Sequence, residues 1–215
     1  YSDMYGIPSD RFVRLPPGAN SDWFYPQEET EKRETFTILY WGNFLPHHGV
    51  GTILGAATEL RNEPYEFVFL GSGPEMERYQ RMADELALSN VRFEGFVPRE
   101  EQQKWIASSH VCLGAFADDP RSLASITNKV SEAVASKKAV ITEDSPAINE
   151  WFDHGESIYT VPPEDPVGLA EAIETLATER DWIEQLESGG YEVYQREFDV
   201  DTIGNILSSQ LFMYN

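Results

Sequence analysis

Two of the four histidines, His47 and His48, stand side by side in "YWGNFLPHHGVGT", between Gly42 and Gly49. Adjacent imidazoles on a loop admit three chemistries: a metal site, an acid–base pair, or a positive patch for an anion. Neither has ligand spacing with His110 or His154, and two consecutive side chains cannot face one ion from a strand. No metal site is therefore expected. A second constellation is Lys129 and Glu132 in "SITNKVSEAVASKKAVIT". Three apart on a helix, they occupy neighbouring parts of one face. Val130, Ala133 and Val134 turn that helix into the core, so both charges fall near its amino end. Backbone N–H groups and a partial positive charge there suit a phosphate, and the Glu132 carboxylate can accept two hydrogen bonds from a vicinal diol such as a ribose. Taken alone, the pair reads more simply as an intrahelical ion pair on a solvated face.

"GSGPEME" places Gly71 and Gly73 directly after an apolar strand-like run. The dinucleotide fingerprint needs a third small residue where this chain has Met76, which disfavours a Rossmann dehydrogenase. What remains is a tight strand-to-helix turn, open to a structural or a ligand-contacting use.

The elements that must carry these residues alternate from Thr35 onward. "TFTILYW", "YEFVFLG", "VRFEGFV", "HVCLGAF", "KAVIT" and "SIYTV" have the length and the β-branched and aromatic content of strands. Helical spacing appears in "GVGTILGAATELR", "PEMERYQRMADELAL", "REEQQKWIASS", "NKVSEAVAS", "AINEWF", "PVGLAEAIETLAT", "RDWIEQLESGGYEVYQREF" and "DTIGNILSSQLFM". Strands separated by helices require crossovers and a mainly parallel sheet, giving a doubly wound, Rossmann-like α/β fold. Ligands then bind outside the carboxyl ends of the strands. Four loops lie there: 42–49, 71–74, 115–127 and 143–146.

The chain has 215 residues, 37 acids against 16 bases, and a net charge of −21. The acids are dispersed, which argues against nucleic acid or an anionic membrane as partner and fits adaptation to high salt, or simply an acidic mesophilic surface. The single cysteine, Cys112, sits in an apolar run and is expected to be buried and inert. No apolar run is long enough to span a membrane and the first twenty residues lack a signal-peptide layout, so a soluble, cytoplasmic protein is expected. Residues 1–34 read as a connector anchored by Trp23, Phe24 and Tyr25, residues 35–198 as the α/β domain, and 199–215 as a terminal helix. A chain opening on Tyr1 reads as processed or excised.

The run "ASITNKVSEAVASKKAVITEDSPAINEWFDHGESIYTVPPEDPVGLAEAIETL" resembles the signature region of GT-B glycosyltransferases of family 4. Its marks are a glutamate-bearing helix, an "A-x-G-K-P-V-I"-like strand, a proline-containing loop and "D-P-x-x-L-A-x-A-I". "FTILYWGNFLPHHGVGTILGAATEL", "YEFVFLGSGPEME", "VRFEGFVPREEQQKWIASSHVCLGAF" and "RFVRLPPGANSDWFYP" resemble other family segments in the same order. The resemblance implies the C-terminal, nucleotide-sugar-binding half of a two-domain enzyme, with Tyr1 to Phe12 as the last helix of an acceptor-binding half. It implies that Glu132 holds the donor ribose, that Ser125, Ile126 and Thr127 offer amides to the pyrophosphate, and that Gly95, Phe96 and Val97 lie beside the base. Gly42, Asn43, Gly71 and Gly73 are then donor-loop residues.

Two departures from the family, at three positions, matter. A first glutamate is absent at Ala124, where Asp118 or Asp119 could substitute. The family's arginine and lysine for the diphosphate fall on Asn43 and His48. Candidates for stabilising the departing diphosphate are His48, Lys129 and Arg121, with His47 a bystander facing solvent or the absent domain. A cationic His48 would make donor affinity fall as pH rises through its titration.

The implied activity is retaining transfer from a UDP- or GDP-sugar to a glycan or lipid-linked acceptor, with no cofactor, at or near the inner face of a membrane in the full-length enzyme. The isolated half should bind nucleotide and hardly turn over. A sugar-nucleotide epimerase of the same fold, or a degenerate interaction domain, is the alternative.

Overall fold

The computed structural model describes residues 5, 6, 8, 11–27 and 30–213. The helix expected over Tyr1 to Phe12 lies largely outside the described residues. Six strands, β1 (Phe36–Asn43), β2 (Tyr65–Ser72), β3 (Val91–Gly95), β4 (Val111–Leu113), β5 (Ala139–Glu143) and β6 (Tyr159–Val161), form one sheet in the order β3-β2-β1-β4-β5-β6. Every pairing is parallel, from Phe36 opposite Tyr65 to Thr142 opposite Thr160. The strand order reverses between β1 and β4, which opens a crevice at their carboxyl ends.

Alternation along the strands explains the two cores. Ile38, Tyr40, Phe67, Phe69 and Ile141 point to one face, packed by α1 (Val50–Glu59), α2 (Met76–Glu85) and α7 (Pro166–Thr178). Leu39, Trp41, Val68, Leu70, Cys112 and Val140 point to the other, against α3 (Arg99–Ser108), α5 (Asn128–Ala135) and α8 (Arg180–Val193). Two short helices, α4 (Pro120–Leu123) and α6 (Pro146–Asn149), sit in the loops after β4 and β5. Each begins with proline behind a capping side chain: Asp119 accepts from the Arg121 amide, and Ser145 from Ile148. Asp165 caps α7 in the same way, accepting from Gly168 at 2.9 Å.

Several sequence expectations change. The strand in "HVCLGAF" stops at Leu113, because Gly114 and Ala115 turn to bond Ile141 and Thr142. The helix expected to run through "YQREF" gives way to a π turn over Tyr194–Phe198, closed by the Asp199 amide on the Tyr194 carbonyl. Beyond it lies α9 (Val200–Met213). Of the three expected linker anchors only Phe24 is buried. Trp23 is exposed, with Arg99 stacked 3.6 Å from its ring centre, and Tyr25 is exposed. Ala19 bridges to Asp199, tying the linker to the start of α9.

Cys112 is fully buried, and burial pushes its thiol up to about 11, as an inert thiol requires. His110 accepts the Thr37 amide at Nδ1 (3.0 Å) and stacks on Phe36, an edge histidine with its bonding satisfied. No helix among the described residues is long and apolar enough to cross a membrane.

Candidate functional site

A cavity of about 610 Å³ opens at the carboxyl ends of β1 and β2, roofed by the amino end of α5. Four peptide segments supply its walls. From β1 and the following loop come Trp41, Gly42, Asn43, His47 and His48, and from β2 come Gly71 and Ser72. The loop after β3 and the start of α3 contribute Phe96, Val97, Arg99 and Gln102. Ser125, Ile126, Thr127, Asn128, Lys129 and Glu132 come from the approach to α5 and its first turns.

The α5 end is built to receive an anion. Thr127 is its N-cap residue in extended conformation, yet its side chain makes no capping bond. The Thr127 Oγ1 is buried without a hydrogen-bond partner among the described residues, an uncommon condition for a hydroxyl. Helix geometry leaves the amides of Asn128 and Lys129 with no intrahelical acceptor, so hydroxyl, amides and helix dipole converge on one wall.

Lys129 is only 5% exposed, with its ammonium 5.0 Å from the centre of the Tyr40 ring. Burial lowers its pKa to about 8, against the opposing pull of Glu143 and Glu132. Among the described residues no ion pair joins Lys129 to Glu132. The simple ion-pair expectation is therefore corrected: one turn of helix places the two charges side by side, but each faces its own surroundings. Gly42, at φ 126°, leaves the space over which the Lys129 stem lies; a Cβ there would sit 3.7 Å from Lys129 Cε.

Glu132 instead accepts the Trp41 indole N–H at 2.7 Å. Burial raises its pKa, while Trp41, Lys129 and Arg99 favour its ionised form. Beneath the cavity Glu143 is 2% exposed and accepts from Ser122 Oγ (3.1 Å) and Thr142 Oγ1 (3.0 Å).

His48 is not the cation expected of it. Its Nδ1 lies 3.1 Å from the Tyr40 hydroxyl, and burial, then Lys129, then His47 lower its pKa to about 4. At neutral pH it is an uncharged imidazole bonded to Tyr40 of β1. His47, expected to be a bystander, is half-buried and lines the cavity.

Three further expectations fall outside the cavity lining. Asp118 is exposed where the loop turns outward before α4. Gly73 packs on the Phe44 backbone, which a Cβ would strike, so its role is the close approach of two loops. Gly95 ends β3 in a left-handed conformation, φ 73°, and only its successors reach the wall. Arg121 and Asp119 are also spent elsewhere, bound to each other at 2.9 Å through two guanidinium nitrogens. The lining residues that sequence reasoning missed are Trp41, Leu45, Leu70, Ser72, Arg99, Gln102 and Asn128. For Trp41 a signal existed: an indole N–H at the carboxyl end of a strand needs an acceptor.

Residues 35–179 match the family of glycosyl transferases group 1. The chain belongs to that family. It is 25% identical over 189 residues to the lipopolysaccharide core biosynthesis glycosyltransferase LpsD of Rhizobium meliloti, an alignment covering 87% of this chain and 51% of LpsD. The solved structure of Anabaena HepE in complex with UDP-glucose superposes with a TM-score of 0.83 at 16% identity, over 98% of this chain and 60% of HepE. The C-terminal domain of a group 1 glycosyl transferase (LpcC) from Francisella tularensis superposes with a TM-score of 0.69 at 19% identity, over 85% of this chain and all of that domain. The fold is thus the Rossmann-like α/β fold seen in these glycosyltransferase structures. The chain spans about half the length, or less, of the curated relatives it matches.

Proposed function

We propose that this group 1 chain is the donor-binding half of a retaining glycosyltransferase and holds a UDP- or GDP-sugar in the cavity at the ends of β1, β2 and α5. The observation that carries the proposal is the convergence of an unpartnered Thr127 hydroxyl, the α5 amino terminus and the buried Lys129 ammonium on one wall. Such a wall matches a diphosphate and little else of comparable size. Glu132, about one turn further along the same helix, takes the vicinal hydroxyls of the ribose. Phe96 and Val97, at the opposite rim, flank the base.

In the transfer step the sugar–phosphate bond breaks and negative charge grows on the departing diphosphate. The α5 amides, the Thr127 hydroxyl and Lys129 meet that charge without reorganising, and so favour the transition state over the bound donor. His48, uncharged and bonded to Tyr40, fixes the loop between β1 and α1 against this wall. The acceptor, a glycan or a lipid-linked sugar, is held by the second half of the full-length enzyme, which works in the cytoplasm or at the inner membrane face.

Calorimetry of the chain with UDP-glucose, GDP-mannose and ADP-glucose tests this. One of them binds with micromolar to millimolar affinity and competes with its free nucleoside diphosphate. Absence of binding by all three, in dilute and in molar salt, sinks the proposal.

A further inference from the structure

We propose that Trp41 is a positioning residue for Glu132, and that its indole sets which carboxylate oxygen is presented to the ribose diol. The inference rests on the assignment of Glu132 to the donor ribose. Trp41 ends the buried stretch of β1 and is 4% exposed, packed with Val130 and Ala133 in the core between sheet and α5. Its Nε1 donates to Glu132 Oε2 at 2.7 Å, across 91 residues of sequence. Among the described residues this is the one side-chain hydrogen bond made by the Glu132 carboxylate. An indole N–H is a donor only, with a single direction, and its ring is buried in the core at the cavity wall.

Three consequences follow for the carboxylate. One acceptor position of Oε2 is engaged on the strand side, and Oε1, with no side-chain bond among the described residues, is the oxygen wholly free for the diol. The side chain is held in one rotamer before any ligand arrives, which removes an ordering cost from binding. The bond also favours the ionised form that a diol must meet, opposing the effect of burial. A lysine or arginine in this place would fix the carboxylate too, but would neutralise it. A neutral donor orients the charge and leaves it available.

The test compares UDP, 2′-deoxy-UDP and 3′-deoxy-UDP on the wild-type chain, Trp41→Phe and Trp41→His, with circular dichroism to establish folding. The wild type is expected to prefer UDP to the weaker-binding of the two deoxy compounds by roughly tenfold or more, the worth of a hydrogen bond to a charged group. Trp41→Phe keeps the packing and removes the donor; the preference for UDP falls to about twofold while deoxy binding is little changed. Trp41→His, which restores an N–H, recovers part of the preference. In Trp41→Phe the loss of UDP-glucose affinity on acidification begins at a higher pH, because Glu132 has lost a bond to its ionised form. If the phenylalanine variant does not fold, Trp41→Leu, which also lacks the N–H donor and leaves Glu132 intact, gives the same loss of preference. A wild type indifferent to both ribose hydroxyls overturns the ribose assignment and this inference with it. A wild type that discriminates, with Trp41→Phe discriminating equally well or losing all ligands in equal proportion, overturns the role of Trp41 alone.

Discussion

Lys129→Met is the most informative single change. The methionine fills much of the same buried volume but carries no charge, so the packing of α5 against β4 and β5 is retained. Lys129 lines the wall proposed for the diphosphate with no ion-pair partner among the described residues, and a hydrogen bond from an ammonium to a phosphate oxygen is worth about 1.5–3 kcal/mol. The variant should therefore bind UDP-glucose some ten- to hundredfold more weakly at pH 7. The pH profile supplies the sharper test. The ammonium form binds, and its pKa in the folded chain is about 8. Wild-type affinity is then flat from pH 6 to 7.5 and falls above 8, by up to tenfold per pH unit, until the higher pKa of the complex is passed. The lysine pKa is depressed relative to the unfolded chain, so its contribution to folding stability has the opposite sign. That contribution is lost as pH falls through about 8 and grows as pH rises toward the ordinary lysine value. Isothermal calorimetry from pH 6 to 9.5 on both proteins reads the first effect. UDP-glucose is the suitable probe because, unlike UDP, it has no phosphate proton titrating near 6. Urea melts of both proteins read the second. A wild-type profile that declines between pH 6 and 7, as a cationic histidine would give, refutes the reasoning. So does a Lys129→Met protein that keeps the decline above pH 8.

Other changes test the surroundings of that wall. Glu143→Gln removes a buried negative charge that holds Lys129 protonated and repels a diphosphate; UDP-glucose should bind a few-fold more tightly at pH 6, with the alkaline decline starting below pH 8 in the same calorimetry. Gly71→Ala places a methyl against the Gly42 carbonyl at φ 115°. Loss of at least about 2 kcal/mol of stability in urea melts is expected, with donor binding reduced in whatever fraction stays folded. The net charge of −21 predicts a melting temperature that rises between dilute buffer and molar potassium chloride, and an unchanged value would remove the case for salt adaptation.

The sheet was legible because its physics is local. Buried parallel strands must be apolar on both faces, and helices of ten or more residues between them leave only crossovers. The placement of Lys129 and Glu132 near the amino end of a core helix followed from Val130, Ala133 and Val134 for the same reason. What was hidden depends on long-range burial. Nothing within the loop 42–49 states that His48 will lie against Tyr40 and beside Lys129, and so be uncharged. The bond from Trp41 to Glu132 joins residues on different elements and has no spacing rule. Asp118 looked equivalent to any carboxylate in its loop until α4 formed and turned that loop outward. The π turn at Tyr194–Phe198 breaks a helix whose composition gave no cause for a break.

If an acidic chain is to bind a diphosphate, as proposed, it must keep its own carboxylates from competing for the cation. The arrangement around α5 shows how this is done with few bases. Asp119 is held by Arg121 outside the cavity, and that guanidinium keeps its carboxyl well below the usual range. Glu143 is buried under the wall and bonded to Ser122 and Thr142. Glu132 is turned toward Trp41 by a neutral donor. Asp119, Glu143 and Glu132 thus each have a hydrogen-bond partner other than Lys129, and Lys129 is left against the Tyr40 ring at the cavity wall. The acids still act on it at a distance, raising its pKa against burial without occupying its hydrogen-bonding positions. The proposed anion site therefore relies on geometry, on the Lys129 ammonium, Arg99 at the rim and one helix end, in a chain with few basic residues.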